Sequence, residues 1–351
     1  MKRTLRAYVF PVLMAGLLMA GCSEGVKGTE SDMKKQLDAD LGAVEKVTVL
    51  STDGQEVPLA LDEFLKELPE QGKDLQVSPQ PLKRDEIRYT LVLYRHKLAP
   101  LVVEVGKQAS QYGENSYRGP GADRFYQWIH REAGKGLLPA AVQTAVVSAE
   151  DLGQTVTLGK TQAEFLQGVL AAATPLSDKE IDQYPLYPHY RLRIDTGGRS
   201  LHITMLTPTL VSIPFGRETH YYSIQGSLFS QLTQWLPPRR TAGDAFDRLF
   251  QASKIRVEPS GDASVASVEQ SATETTVEQG KAHQCVRLLK GGVALAGQPK
   301  SPGSERYRLI FSVEESEVTV HVYDRHIRFN DNWYAHERLD DELLTLLRTK
   351  K

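Results

Sequence analysis

Cysteine is scarce in this chain, which has only Cys22 and Cys285 among its 351 residues. Small secreted domains that lack a large core depend on several disulfides, and two cysteines cannot supply such a framework. The fold must therefore be stabilised by burial of apolar side chains. A chain of this length is sufficient for two or three small domains, each with its own core.

Positive charge is not in surplus either. The chain has 42 lysines and arginines against 44 aspartates and glutamates, so its formal net charge is −2 at pH 7. No run of basic residues interrupts this balance. Proteins that bind nucleic acid usually carry a basic patch or stripe, so the composition argues against a nucleic-acid partner.

Sequence motifs of catalysis and metal binding are missing as well. The nine histidines form no His-x-His or His-Glu-x-x-His pattern, and there is no Cys-x-x-Cys. Gly-x-Ser-x-Gly, Ser-x-x-Lys and phosphate-binding glycine loops do not occur in a suitable strand-turn-helix setting. Cys285 takes the place of a core phenylalanine in the repeats described below, which predicts a buried apolar role and not a nucleophile. The sequence therefore predicts no catalytic residue, no metal site and no cofactor.

No apolar run is long enough to span a membrane, because a spanning helix needs about 20 apolar residues. The mostly apolar run at residues 7–20 follows three basic residues and ends at Gly21. A charged start, a short apolar stretch and small residues at its end are the order of an export signal.

The last residues of that segment, Leu18-Met19-Ala20-Gly21-Cys22, resemble the lipobox of bacterial lipoproteins. The resemblance implies that residues 1–21 are a signal peptide that is removed. It also implies that Cys22 carries a diacylglycerol thioether, usually with an amide-linked chain such as palmitate. Each buried methylene contributes about 0.8 kcal/mol, so two or three acyl chains hold a protein on a membrane. The alternative is an ordinary signal end with an incidental cysteine.

The resemblance further implies a location outside the cytoplasm. The mature chain is expected to be lipid-anchored to the bacterial cell membrane, or to the outer membrane if the source has two membranes. Removal of residues 1–21 deletes three positive charges and no acidic residue, which changes the formal net charge from −2 to −5. Residues 22–45 are polar and are predicted to be a tether that holds the folded part off the bilayer. An amphipathic helix lying on the lipid is the alternative for this segment.

One hairpin pattern occurs three times in the rest of the chain, at residues 89–105, 190–205 and 307–322. Alternating positions along its strands are apolar, which is the period of a half-buried antiparallel strand. Phe64 returns as Phe165 at the displacement of 101 residues that also separates Tyr89 from Tyr190. Two landmarks that share one displacement indicate a duplicated module.

Each module is predicted to contain a β-hairpin, a helix, three antiparallel strands and a second helix. The predicted fold class is therefore α+β, with three tandem repeats of this small module, and a helix must cover one face of each sheet. The predicted boundaries are residues 46–138 for repeat module 1, 143–238 for repeat module 2, 239–252 for a helical connector and 253–351 for repeat module 3. The sequence leaves open whether the modules stack or are flexibly joined.

Local signals predict three helix boundaries. The first helix is predicted to end before Pro69, because proline lacks the backbone N–H that a helix interior requires. Gly119-Pro120-Gly121 is predicted to be the turn that leads into the second helix of module 1, which Asp123 can cap. The first helix of module 2 is predicted to carry a capping box with Thr161 and Glu164 as its two members.

Aromatic residues are the most suggestive candidates for binding another molecule. Residues 184–189, Tyr-Pro-Leu-Tyr-Pro-His, lie in the loop before the second hairpin. Tyr184, Tyr187 and His189 are therefore predicted to contact a partner, together with Trp333 in module 3. A tyrosine also recurs at the end of the third strand, where a core position is the favoured role: Tyr117, Tyr222 and Tyr334.

These observations predict a membrane-anchored extracytoplasmic lipoprotein that acts as a non-enzymatic binding or scaffolding protein in the cell envelope. Each copy of a module without catalytic motifs adds binding surface. The expected partners are the membrane, through the N-terminal lipid, and a protein of the envelope. One alternative is an enzyme or enzyme subunit that acts on envelope material through an unrecognised site. A further alternative is a solute-binding lipoprotein, although such proteins usually have two larger α/β lobes.

Overall fold

The fold is described from a computed structural model, which covers residues 41–176, 181, 183–237, 245–260, 275–277 and 279–347. The predicted signal peptide, Cys22 and most of the predicted tether lie outside these residues. Within the described ranges no helix is both long and apolar enough to cross a membrane.

The first sheet, called sheet 1, has seven antiparallel strands. Along the chain they are Val44–Ser51 (β1), Glu56–Pro58 (β2), Gln76–Ser78 (β3), Ile87–Arg95 (β4), Leu98–Gly106 (β5), Ser110–Tyr112 (β6) and Asn115–Arg118 (β7). Their order across the sheet is β2-β1-β4-β5-β6-β7-β3. The opening hairpin β1–β2 pairs through β1 with the central hairpin β4–β5, with Val49 opposite Leu91. The two hairpins therefore belong to one sheet.

Two further sheets follow along the chain. Sheet 2 contains Thr144–Ala149 (β8), Gln154–Thr157 (β9), Thr174–Pro175 (β10), Tyr190–Asp195 (β11), Ser200–Thr207 (β12), Leu210–Phe215 (β13) and Glu218–Ser223 (β14). Sheet 3 contains Lys254–Pro259 (β15), Thr275–Val277 (β16), Val293–Ala294 (β17), Glu305–Val313 (β18), Ser316–Tyr323 (β19), His326–Phe329 (β20) and Asn332–Ala335 (β21).

All three sheets have the same strand order. Sheet 2 runs β9-β8-β11-β12-β13-β14-β10, and sheet 3 runs β16-β15-β18-β19-β20-β21-β17. When the strands of each sheet are numbered in chain order, the order of the strands across sheets 2 and 3 is the same as the order across sheet 1. The architecture is mixed α+β with three antiparallel sheets.

Each sheet has more strands than the sequence predicted. Four strands follow the short third strand, where three were predicted, because the chain reverses once more within that region. In sheet 1 this reversal uses Gly113 at a φ of 57°, which brings Tyr112 opposite Asn115. The edge strands β3, β10 and β17 have three, two and two residues. Strands of that length produce no alternating pattern that could be read from the sequence.

Two helices accompany each sheet. They are Leu61–Gln71 (α1) and Pro120–Leu137 (α2) with sheet 1, Lys160–Ala171 (α3) and Ser227–Trp235 (α4) with sheet 2, and Gln279–Lys290 (α5) and Leu339–Leu347 (α6) with sheet 3. The predicted turn at Gly119 does lead into α2, but the helix starts at Pro120, with Gly119 as its N-cap at a φ of 101°, so Asp123 lies in the first turn and not at the cap.

Two other predicted helix boundaries are wrong. α1 continues through Pro69 to Gln71, because a proline in the last turn removes only one hydrogen bond, and the N–H of Gly72 still donates to the Leu68 carbonyl at 3.0 Å. α3 starts earlier than predicted. Its capping contact is donated by the N–H of Gly159 to Oε1 of Gln162, at 2.9 Å.

Equivalent tyrosines lie in the cores of the three sheets. Tyr89, Tyr190 and Tyr307 are buried near the start of the central hairpins, as the alternation predicted. The recurring third-strand tyrosines are buried at Tyr117 and Tyr222 and partly buried at Tyr334. Cys285 is fully buried, and burial raises the pKa of its thiol to about 12, so its predicted apolar role is confirmed.

The sheets contact one another, which answers the question that the sequence left open. One continuous cluster of buried apolar residues runs through sheets 1 and 2 with α1 to α4, and a second cluster fills sheet 3. The segment predicted to be a connector forms a 3-10 helix, Ala245–Gln251, that buries Phe246, Leu249 and Phe250 in the second cluster. Sheets 1 and 2 therefore share a core, whereas sheet 3 has its own.

Candidate functional site

The predicted contact segment, residues 184–189, lies between sheet 2 and sheet 3. The ring of Tyr187 stacks on Phe250 of the 3-10 helix, with 4.4 Å between the ring centroids. The backbone N–H of Tyr187 donates to Nδ1 of His283 in α5 at 2.8 Å. Tyr184 is partly buried against the same core. The segment is thus a contact surface, and what it contacts is the third unit of the same chain.

A buried ion pair joins the same two units. Asp151 lies in the turn Glu150–Leu152 between β8 and β9. Arg287 of α5 donates from Nε and Nη2 to the two carboxylate oxygens of Asp151, both at 2.9 Å. Burial favours the neutral form of Asp151, but the hydrogen bonds and charge of Arg287 outweigh it and hold the pKa of that carboxyl below its usual value. A bidentate pair fixes orientation as well as distance, so it constrains how sheet 3 sits on sheet 2.

His189 and Trp333 have little surface left for another molecule. His189 is 6% exposed, and its Nδ1 lies 3.1 Å from a carboxylate oxygen of Glu150. Burial and the nearby positive charges of Arg287 and Arg191 lower the pKa of His189 to about 4, so the ring is neutral near pH 7. Trp333, in β21, is 7% exposed and contacts the ring of Tyr323 within sheet 3. The structure brings Tyr184, Tyr187 and His189 together and places Trp333 within sheet 3.

A second polar cluster lies between sheet 1, α2 and sheet 2, and the sequence did not predict it. The hydroxyl of Tyr89 in β4 lies 2.5 Å from Nδ1 of His130 in α2 and 3.3 Å from Nε2 of His220 in β14. The two imidazole rings stack with 4.0 Å between their centroids. All three side chains are buried.

The Tyr89 hydroxyl has one proton to donate and oxygen lone pairs that accept, so it bonds both imidazoles when one ring donates to it and the other accepts from it. Burial, and then the neighbouring His130, lower the pKa of His220 to about 2, so the His220 ring is neutral near pH 7. A substrate would reach these buried atoms only after α2 had separated from sheet 2.

Close approach of α2 to sheet 2 depends on one glycine. A Cβ at Gly134 would lie 3.0 Å from Nδ1 of His220. The hydroxyl of Tyr222 in β14 donates to the Gly134 carbonyl at 2.7 Å. No local signal in the sequence pairs residue 134 with residues 220 and 222, because nearly 90 residues separate them.

Glu218 carries the ionic contacts at the rim of this interface. One carboxylate oxygen lies 2.9 Å from Nε of Arg88, and the other accepts the hydroxyl proton of Tyr126 at 2.9 Å. Lys107 lies 3.7 Å from the same carboxylate. The Glu218 side chain is only 10% exposed, so these partners replace most of its hydration.

The most exposed apolar surface on a hairpin is at the end of β4–β5, called here the first hairpin tip (residues 94–102). Six large apolar side chains are exposed among the described residues, and three of them lie on this tip: Tyr94 at 37%, Leu98 at 52% and Val102 at 43%. The other three, Val77, Leu176 and Val293, lie in or next to β3, β10 and β17, the corresponding edge strands of the three sheets.

Within the described ranges, no group of three or more His, Cys, Asp or Glu side chains is placed to hold a metal ion. Comparison of the chain with protein-family models, with curated proteins and with solved structures found no match.

Proposed function

We propose that this protein is a lipid-anchored, extracytoplasmic scaffold whose three tandem repeats of one module present a continuous array to a protein partner in the cell envelope. Anchoring is assigned to an acylated Cys22. The activity is non-enzymatic binding. The identical strand order of the three sheets supports the repeat. The buried interfaces between sheets 1 and 2 and between sheets 2 and 3 favour stacked modules and not flexibly joined ones.

One observation carries the proposal: the same edge of each sheet exposes a large apolar side chain. Val77 in β3 is 67% exposed and Val293 in β17 is 68% exposed, while Leu176, which directly follows β10, is 38% exposed. Edge strands present unpaired backbone groups that a partner chain can pair with. In contrast, the buried polar clusters described above lie between the sheets, where their side chains already bond to other residues of the chain. Repetition of one apolar edge is what a multivalent partner requires.

Photo-crosslinking in cells tests the partner. A photoreactive amino acid is placed at Val77 or at Val293 of the full chain, and crosslinked proteins are identified. The matched control position is Lys160 at the start of α3, whose side chain is 91% exposed and which belongs to none of the three edge strands. We expect positions 77 and 293 to capture the same protein and position 160 not to. Capture of no specific protein at 77 and 293, or equal capture at 160, contradicts the scaffold.

The anchor is tested separately by metabolic labelling with radioactive palmitate. The unchanged chain is expected to incorporate label, and Cys22→Ala is expected to abolish incorporation. Equal labelling of both chains contradicts acylation at Cys22. Cys285 is not an alternative acceptor in the folded protein because it is buried.

A further inference from the structure

The first hairpin tip differs from the corresponding tips of sheets 2 and 3. Five residues after the equivalent tyrosines stand Tyr94, Asp195 and Ser312. By strand register, the positions equivalent to Val102 are His202 in sheet 2 and Thr319 in sheet 3. The core positions of the hairpins are thus alike, and only the first tip has an apolar outer face.

The other two tips have different surroundings. Arg199 at the second tip donates to the carbonyls of Gly136 and Leu137 at the end of α2, at 3.0 and 2.5 Å, so this tip is used to contact the first unit. The third tip is acidic, with Glu314 and Glu315 exposed. A function that requires exposed apolar side chains can therefore belong only to the first of the three tips.

Basic residues flank the apolar side chains of the first tip. The turn is Arg95-His96-Lys97, and Lys97 is exposed at its apex. Arg95 donates from Nε and Nη2 to the Ala99 carbonyl at 2.9 and 2.7 Å, which folds its aliphatic stem across the turn. The nearby carboxylate of Glu45 contacts His96 at 2.5 Å. Apolar and aromatic side chains with basic neighbours are the composition of segments that lie at the interface of anionic membranes.

The chain also reaches the folded part at this tip. The N–H of His96 donates to the Ala43 carbonyl at 2.8 Å, and Val44 lies opposite Arg95 in the sheet. Only 20 residues separate Cys22 from Ala43. Even fully extended, such a segment spans no more than about 70 Å. An anchor at Cys22 therefore keeps the first hairpin tip within that distance of the lipid, so the tip can reach the bilayer.

We infer that the first hairpin tip is a membrane-contact site, in which Tyr94, Leu98 and Val102 enter the interfacial layer of an anionic bilayer while Arg95 and Lys97 contact its headgroups. The inference rests on the proposed lipid anchor and adds to it a second point of contact that orients the array. A lipid surface fits better than a protein, because basic residues flank the apolar side chains of this tip, as they do in segments that lie at the interface of anionic membranes. Weak insertion is sufficient when the anchor keeps the tip near the membrane.

Fluorescence on tethered protein tests the inference independently of acylation in cells. The chain from Cys22 to Lys351 is coupled through the Cys22 thiol to a maleimide lipid, in vesicles of phosphatidylcholine and phosphatidylglycerol in equal amounts. Cys285 does not compete, because it is buried and its thiol stays protonated. An environment-sensitive fluorescent amino acid replaces Leu98 or, as the matched control, Ser316, the residue at the corresponding turn of sheet 3.

We expect the fluorophore at position 98 to shift to shorter wavelength and to be quenched by brominated lipids, and the fluorophore at position 316 to do neither. Lys97→Glu, in the chain labelled at 98, is expected to lower the ratio of contacting to non-contacting molecules at least fivefold, since one cation near an anionic surface is worth about that factor. Leu98 is replaced by the probe itself, so Val102→Ser supplies the apolar variant and is expected to lower the ratio about tenfold. Both substitutions are at exposed positions, and circular dichroism checks that the fold is retained.

Two results overturn the inference. Absence of quenching at position 98 shows that the tip stays in water. A wavelength shift without lipid quenching, rising with protein density on the vesicle, shows that the tip contacts a second copy of the chain. Because coupling to the maleimide lipid replaces natural acylation, either result leaves the palmitate test of the anchor unaffected. If the palmitate test fails but the fluorophore at position 98 is quenched, the membrane-contact site is supported and the natural lipid anchor is not.

Discussion

Glu218 of sheet 2 and Arg88 of sheet 1 form an ion pair across the boundary of two units, with 2.9 Å between a carboxylate oxygen and Nε. The two residues are 130 positions apart in the sequence. Their side chains are 10% and 25% exposed. An ion pair with this little hydration is costly to break from one side, because the remaining charge stays partly buried.

Glu218→Gln is expected to lower the free energy of unfolding by about 1 to 3 kcal/mol. The amide still accepts the Tyr126 hydroxyl proton, but Arg88 and Lys107 lose their counter-charge. Denaturation in urea measures the change. The matched control is Glu56→Gln, which breaks the Lys46–Glu56 pair of the same 2.9 Å length with both side chains well exposed. That loss is expected to stay below about 1 kcal/mol, and equal losses would contradict a structural role for Glu218.

Arg287 is expected to control the docking of sheet 3. Arg287→Leu leaves the carboxylate of Asp151 buried without its cation, and removal of one partner from a buried pair costs about 3 to 5 kcal/mol. Hydrogen exchange at the backbone N–H of Tyr187 should accelerate about 100-fold, because this group donates to His283 across the same interface.

Arg328→Leu is the control for that measurement. It removes an exposed pair with Asp331 in the same sheet, at 3.0 Å, and should leave exchange at Tyr187 unchanged. Equal acceleration in both variants would show that sheet 3 is destabilised as a whole, and that Arg287 has no particular role in docking.

Two helix glycines are expected to respond in opposite directions to replacement by alanine. A Cβ at Gly168 in α3 meets no atom within 4 Å, so Gly168→Ala should stabilise the protein by up to about 1 kcal/mol through helix propensity. A Cβ at Gly121 in α2 would lie 2.3 Å from the backbone carbonyl oxygen of Lys73, which cannot rotate away. Gly121→Ala should therefore destabilise by about 1 to 3 kcal/mol, and thermal unfolding compares the two. Stabilisation by both would contradict the close approach at Gly121.

The sequence predicted the features that depend on neighbouring residues and missed those that depend on distant ones. The alternation around Tyr89 predicted its hairpin, because the period of a half-buried strand is a local property. The edge strand at Val77 is too short to leave such a pattern. Residues 184–189 were predicted to be a contact segment from their aromatic composition, but the composition does not reveal that the contact is with Phe250. The pairing of Tyr89 with His220 joins residues 131 positions apart, for which no motif exists.

Acid should destabilise the interface around Tyr89, His130 and His220. Burial lowers the pKa of His220 from the ordinary value of 6.5 to about 2. Between these two values the unfolded chain binds a proton on this histidine that the folded chain does not bind. The stabilisation is therefore complete above about pH 6.5 and is lost as the pH falls, by about 1.4 kcal/mol for each pH unit. His189 and His283, whose pKa values are lowered to about 4, act in the same direction down to about that pH.

Replacement of His220 by phenylalanine isolates its share of this pH dependence. His220→Phe keeps an aromatic ring against Phe215 but has no group that can titrate, so the slope of unfolding free energy against pH between about pH 6 and pH 4.5 should fall by about 1.4 kcal/mol per unit. Its stability at neutral pH can change in either direction without affecting this slope. An unchanged slope in His220→Phe would mean that water reaches His220 in the folded protein, and that α2 does not cover it.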